Sequence, residues 1–151
     1  MRTWTTSTLV DAAPDEVIDV LTDPAAAMRW SPFPFEVEGL DDGERLEAGI
    51  EARVSGSLGG MRVGFDLDVH DADEEGLRLT ARGPIGFDVV YGLLPTGDGR
   101  TDVLASVSVH RGGGITGRVL ERAADALLAA GALRTALGRI AREAEAACAV
   151  A

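Results

Sequence analysis

Few side chains in these 151 residues can do chemistry, and those few do not stand at the spacings familiar reactions need. His70 and His110 have no His or Cys neighbour at metal-ligand spacing, so no metal site is expected. Asp71-x-Asp73-x-Glu75-Gly76 opens like a calcium loop, but the twelfth position is Arg82 where a bidentate glutamate is required. It reads as an acidic hairpin turn. Gly112-x-Gly114-x-x-Gly117 has the form of a dinucleotide fingerprint, which works only with a following parallel strand and an acid about 20 residues on. Positions 134–138 hold no acid, so these glycines read as a flexible hinge, and no cofactor is expected. Gly56-Ser57 lacks the Gly-x-Ser-x-Gly elbow of a hydrolase. Cys148 is the single cysteine; it excludes an intrachain disulfide and reads as core filler or surface. All 14 basic residues are arginine, which removes Schiff-base and Walker-type phosphate chemistry.

Tyr91, Arg111 and Arg134 remain. Tyr91 is the only tyrosine and has the apolar parity of its strand. It is either a core phenol bonded to backbone or a hydroxyl that meets a ligand. Arg111 has the inward parity of the last strand, and Arg134 lies beside Leu133 on a helix stripe. Each is a snorkelling rim residue or a group that polarises a ligand carbonyl. Trp30, Phe33 and Phe35 form a hydrophobic plug or one wall of a cavity mouth.

The elements that must position these groups are legible in the pattern. Residues 3–10 are β-branched and alternate, which predicts a strand. Pro14, Asp15 and Glu16 suit a helix start; Asp23-Pro24 ends that helix and caps a second one reaching Trp30. Strands are predicted at 35–40, 46–56, 61–71, 77–82, 85–95 and 101–111. Their apolar faces are Ile50, Ala52 and Val54; Met61, Val63, Phe65, Leu67 and Val69; Leu77, Leu79 and Ala81; Ile85, Phe87, Val89, Tyr91 and Leu93; and Val103, Ala105, Val107 and Val109. Short Asp/Gly/Pro separators make neighbours antiparallel. From Ile115 to Cys148 the period becomes helical, with Val119, Ala123, Ala126, Ala130, Leu133, Leu137, Ile140 and Ala144 as one stripe. A helix of that length, ~51 Å at 1.5 Å per residue, must overhang, bend or break, with Gly131 as the weak point.

Composition sets the frame. Apolar residues are 46% and charged residues 26%, as in a globular chain. The net charge is −11. Residues 1–75 hold 18 acids and 5 arginines, and the remainder 7 acids and 9 arginines. This excess opposes nucleic-acid and anionic-membrane partners. No apolar run reaches the ~20 residues of a membrane span and no signal-peptide core is present, so a cytoplasmic location is expected. One domain over 1–151 is expected. The α+β order, a seven-stranded curved antiparallel sheet with two short helices and a long C-terminal helix, predicts a grip over a cavity. The Ala-rich stripe and only seven aromatic residues leave either an open cavity or a tight core.

The segments APDEVIDVLTDPAAAMRW (13–30) and GRVLERAADALLAAGALRTALGRIAREAE (117–145) resemble the SRPBCC, or START-like, helix-grip superfamily, in particular its bacterial polyketide cyclase/dehydrase and lipid-transport group. The resemblance implies a hydrophobic cavity for a polyketide, aromatic or lipid molecule. It implies either aldol cyclisation and dehydration or non-catalytic carriage; a co-chaperone-like interaction module is a further alternative. Cyclases of that group carry polar groups along an inward strand in mid-sheet, whereas the Met61-to-Val69 face is wholly apolar. The expected catalytic candidates are therefore Tyr91, Arg111 and Arg134. The expected ligand contacts are Trp30, Phe35, Met61, Phe65, Leu67, Phe87, Val89, Val107 and Leu127, around a pocket of roughly 300 Å³ or more. The protein is expected as a monomer or homodimer.

Overall fold

Strands with one buried and one wet face dominate the chain, and they join into one sheet. The computed structural model describes residues 2–31, 35–38, 44–110 and 112–150, without the side chains of 148–150. The elements run β1 (Arg2–Val10), α1 (Pro14–Thr22), α2 (Pro24–Trp30), β2 (Phe35–Glu38), β3 (Glu51–Leu58), β4 (Met61–Asp73), β5 (Gly76–Arg82), β6 (Gly86–Pro95), β7 (Thr101–His110), α3 (Gly114–Ala129) and α4 (Ala132–Val150). The seven strands lie in the order β1-β7-β6-β5-β4-β3-β2, with each neighbouring pair antiparallel. The expected α+β grip is present, and its apolar strand faces are the inward ones: Val63, Phe65, Leu67 and Val69 are buried, as are Leu77, Leu79 and Ala81.

The outward face is polar and paired. Arg53 meets Asp66, Arg82 meets Asp68 and Arg78 meets Asp71 across strands. The register shifts between Val69 and Asp71, leaving His70 as the extra residue of a bulge. His70 Nε2 reaches Thr80 Oγ1 at 2.8 Å, Thr80 donates to Asp88 Oδ1 at 3.0 Å, and the other Asp88 oxygen pairs with His110 Nε2. Both histidines thus serve a cross-strand ladder. The segment from Asp71 to Gly76 is the end of a β-hairpin, turned at Glu74 and Glu75, with Glu75 N–H donating to Asp73 Oδ1 at 2.9 Å.

Three boundaries differ from expectation. Residues 46–50 precede β3 as a loop and turn, closed by Ile50 N–H to Glu47 O at 3.0 Å. The C-terminal helix is two helices, broken at Gly131, whose φ of +95° only glycine adopts without strain. The buried stripe of α3 is Gly117, Leu120, Ala124 and Leu128, one residue on from the expected register. Val119 is 44% exposed, and Ala126 and Ala130 are exposed. The reason lies at the start of the helix. A Cβ on Gly117 would stand 2.5 Å from the Gly112 carbonyl carbon, and one on Gly112 would stand 2.0 Å from Pro84 O. The helix is rotated so that Gly117 packs its bare backbone on Gly112, which in turn lies against Pro84 of the β5–β6 turn. These glycines are a tight packing joint rather than a flexible hinge. In α4 the stripe Leu133, Leu137, Ile140 and Ala144 is buried as expected.

Candidate functional site

The inward faces of β3 to β7 do not meet the helices everywhere. Between the sheet and α2 lies a cavity of about 120 Å³. Its floor is Val54 and Leu58 of β3, Val63, Phe65 and Leu67 of β4, Leu77, Leu79 and Ala81 of β5, Phe87, Val89 and Tyr91 of β6, and Val107 of β7. Ala27 and Trp30 of α2 form the roof, with Leu46, and Phe35 and Val37 of β2 close the side. Among the described residues the wall is least covered at the β2–β3 edge, where Phe35, Val37 and Gly56 are half-buried and Ser57 is exposed.

Local bonds hold the roof. Asp23 Oδ1 accepts from Ala25 N–H at 3.1 Å and caps α2, as its position before Pro24 predicts. Ala27 and Trp30, three apart, share the inward face. The Trp30 indole donates to Val20 O at 3.2 Å, which fixes the ring edge-on to Tyr91 at 5.4 Å between centroids. Arg29 clamps α2 to α4 by two bonds to Glu143, at 2.7 and 3.0 Å. Arg139 reaches Ser31 O at 3.4 Å. Leu46 is set by its N–H donating to Thr22 O at 2.8 Å.

Tyr91 is the chemical centre of the cavity. It is 1% exposed, and its hydroxyl has no hydrogen-bond partner among the described residues. Burial pushes its phenol well above the ordinary value of 10.0, so it stays protonated and able to donate. No charged side chain lines the cavity among the described residues. Phe65 and Phe87 stack edge-to-face below it, 5.5 Å between centroids.

Of the expected contacts, Trp30, Phe35, Phe65, Leu67, Phe87, Val89 and Val107 converge here with Tyr91. Met61 packs on the core outside the lining. Leu127 is 38% exposed and also outside it, because α3 is turned by one residue and α2 takes the place over the sheet. Arg134 is exposed on α4, away from the cavity. Arg111 lies outside the described residues. The cavity is smaller than the expected 300 Å³. The roof and side residues Ala27, Leu46 and Val37 were missed; the Ala27/Trp30 spacing was the available signal.

A curved antiparallel sheet gripping helices over an apolar cavity defines a START-like helix-grip protein. The chain belongs to the polyketide cyclase/dehydrase and lipid transport family, whose model matches residues 1–145. It is similar in structure to the Zhui aromatase/cyclase from Streptomyces sp. R1128, at 17% identity and TM-score 0.70 over 95% of this chain and 93% of that one. It is similar to TTHA0849 from Thermus thermophilus, at 16% identity and TM-score 0.69 over 97% and 99%. A START superfamily protein from Mycobacterium smegmatis matches at 17% identity and TM-score 0.64 over 91% and 96%. At these identities the likeness carries the fold. No curated protein matches the sequence.

Proposed function

We propose that this protein binds a hydrophobic small molecule in the cavity under α2. The observation that carries the reading is an apolar cavity whose one buried phenol is left without a partner among the described residues. A hydroxyl facing an apolar cavity gains a net 0.5–1.5 kcal/mol, roughly, from a hydrogen bond. A ligand supplying an acceptor would make that bond. Family membership supports the same reading. A bacterial cytoplasmic location and a monomer or homodimer belong to the same proposal; no helix among the described residues is long and apolar enough to cross a membrane.

A second reading, cyclisation and dehydration of a polyketide-like substrate, is favoured by Tyr91 alone. Its protonated hydroxyl could hold a carbonyl oxygen as charge develops there, a role worth ~100-fold or more in rate. Arg134 faces away, and among the described residues no carboxylate or histidine lines the cavity as a base and no arginine as an oxyanion partner. Carriage is therefore the primary reading.

The test is native mass spectrometry of the purified protein, joined to fluorescence with a polarity-sensitive one-ring dye such as 4-(dimethylamino)benzonitrile. Wild type should retain an apolar molecule or bind the dye saturably. Ala81→Leu, which adds three carbons to the cavity floor, should lose binding while keeping a cooperative melt. Equal dye binding by the two proteins would overturn the proposal.

A further inference from the structure

Resting on that binding reading, we infer that the ligand is a neutral molecule of about one ring that presents a single hydrogen-bond acceptor, such as an aryl ketone, to Tyr91. Three observations narrow the class. The first is size: a cavity of roughly 150 Å³ takes benzene, and this one, about 120 Å³ and partly open at the β2–β3 edge, holds about one ring with a short substituent. The covered part has no room for a fused polycycle or an acyl chain of many carbons unless the ligand extends past the β2–β3 edge, or the Trp30 roof or the Phe65–Phe87 floor moves. Trp30 is bonded to Val20 O, and Arg29 and Arg139 hold its helix to α4.

The second is charge. The described lining has no cation to meet a carboxylate or phosphate and no anion to meet an amine. An ion entering such a site loses its hydration and meets no opposite charge among the described lining residues. Fatty acids and acyl phosphates are thereby disfavoured in their ionised forms.

The third is polarity. Tyr91 is protonated and unpartnered among the described residues, so it meets an acceptor by donating, and no existing bond breaks. A ketone, ester or ether oxygen serves.

The experiment is calorimetric titration at pH 7 of wild type and Tyr91→Phe with four probes: acetophenone, its hydrocarbon isostere isopropylbenzene, benzoate, and the two-ring 2-acetonaphthone. Acetophenone should weaken by about 2- to 13-fold in Tyr91→Phe while isopropylbenzene is unchanged. Benzoate should bind at least about tenfold more weakly than acetophenone. 2-Acetonaphthone should bind no more tightly than acetophenone, despite its larger apolar area. If the variant does not fold, the bound ketone in wild type gives the same information. Its carbonyl stretch should lie below its position in hydrocarbon solvent, and an unshifted stretch would overturn the donor role. Equal responses of acetophenone and isopropylbenzene to the substitution, or benzoate binding as tightly as the ketone, would sink the inference. So would tighter binding of the two-ring ketone. Failure of isopropylbenzene itself to bind wild type would instead sink the underlying proposal that the cavity takes apolar ligands.

Discussion

Replacing Tyr91 by phenylalanine removes a hydroxyl that bonds to nothing among the described residues, while keeping the ring against Trp30. Urea unfolding of ligand-free Tyr91→Phe should therefore show an unchanged or raised midpoint. A phenol bonded in the core would lose about 0.5–1.5 kcal/mol, and such a loss would mean that the hydroxyl has a partner. The raised phenol pKa gives a pH dependence. The unfolded chain ionises near 10 and the folded one higher, so stability is full below about pH 10 and falls as the pH rises toward the folded value. Two carboxylates act with the opposite sign. The bond from His110 holds Asp88 below its ordinary value, and the bond from Arg29 does the same for Glu143. Their contributions are present above about pH 4–4.5 and are lost as the pH falls through the depressed folded values. Asp88→Asn and Glu143→Gln should each flatten the acid limb of a stability–pH curve, by at most about 1 kcal/mol because both groups are near the surface. Strand alternation was enough to turn Tyr91 inward, since a half-buried strand leaves a period-two record. Its lack of a partner was not legible, because that depends on which neighbours the fold brings.

The two C-terminal helices differ in how far their sequences constrain them. In α4, Leu133, Leu137 and Ile140 are large residues among small and polar ones, and a single apolar face results. In α3, alanines at 123, 124, 126 and 129 let two adjacent faces look equally apolar. The choice is made by the close approach of Gly112 and Gly117, a contact that periodicity does not report. Leu137→Asp, at a site 1% exposed, should abolish the cooperative transition by burying an unpaired charge. Val119→Asp should melt within a few degrees of wild type, although both positions belong to the stripe read from sequence. Circular dichroism melts of the pair check the register directly. Gly131→Ala should cost about 1 kcal/mol or more through its positive φ alone, since no atom lies within 4 Å of the added Cβ. An unchanged melt would show that the α3–α4 joint relaxes freely.

At the scale of the molecule, charge segregation gives a further expectation. With 18 of the 25 acids in residues 1–75, binding to DNA or to anionic vesicles should be undetectable at moderate salt. Salt-sensitive micromolar binding in an anisotropy or sedimentation assay would contradict it. Strand neighbours from β2 to β7 were legible because short turns join most of them. The berth of β1 was not. It pairs with β7, residue 2 opposite residue 109 and residue 10 opposite residue 101.

That pairing sets a timetable for the chain. On the ribosome, β1 emerges first, yet its hydrogen-bonding partner is synthesised only after both short helices and every other strand of the sheet, and α4, which packs on it, comes later still. Closure across so long a loop falls late on the folding route. Val10→Ala should accordingly speed unfolding and leave the refolding rate nearly unchanged in stopped-flow measurements. The waiting strand is RTWTTSTLV, whose outward positions are Thr3, Thr5, Ser7 and Leu9, three of the four hydroxylic. A strand that must wait unpaired is safest when a neighbouring nascent chain finds little on it to bury. The threonines of β1 thus guard the newborn chain before they decorate the finished sheet.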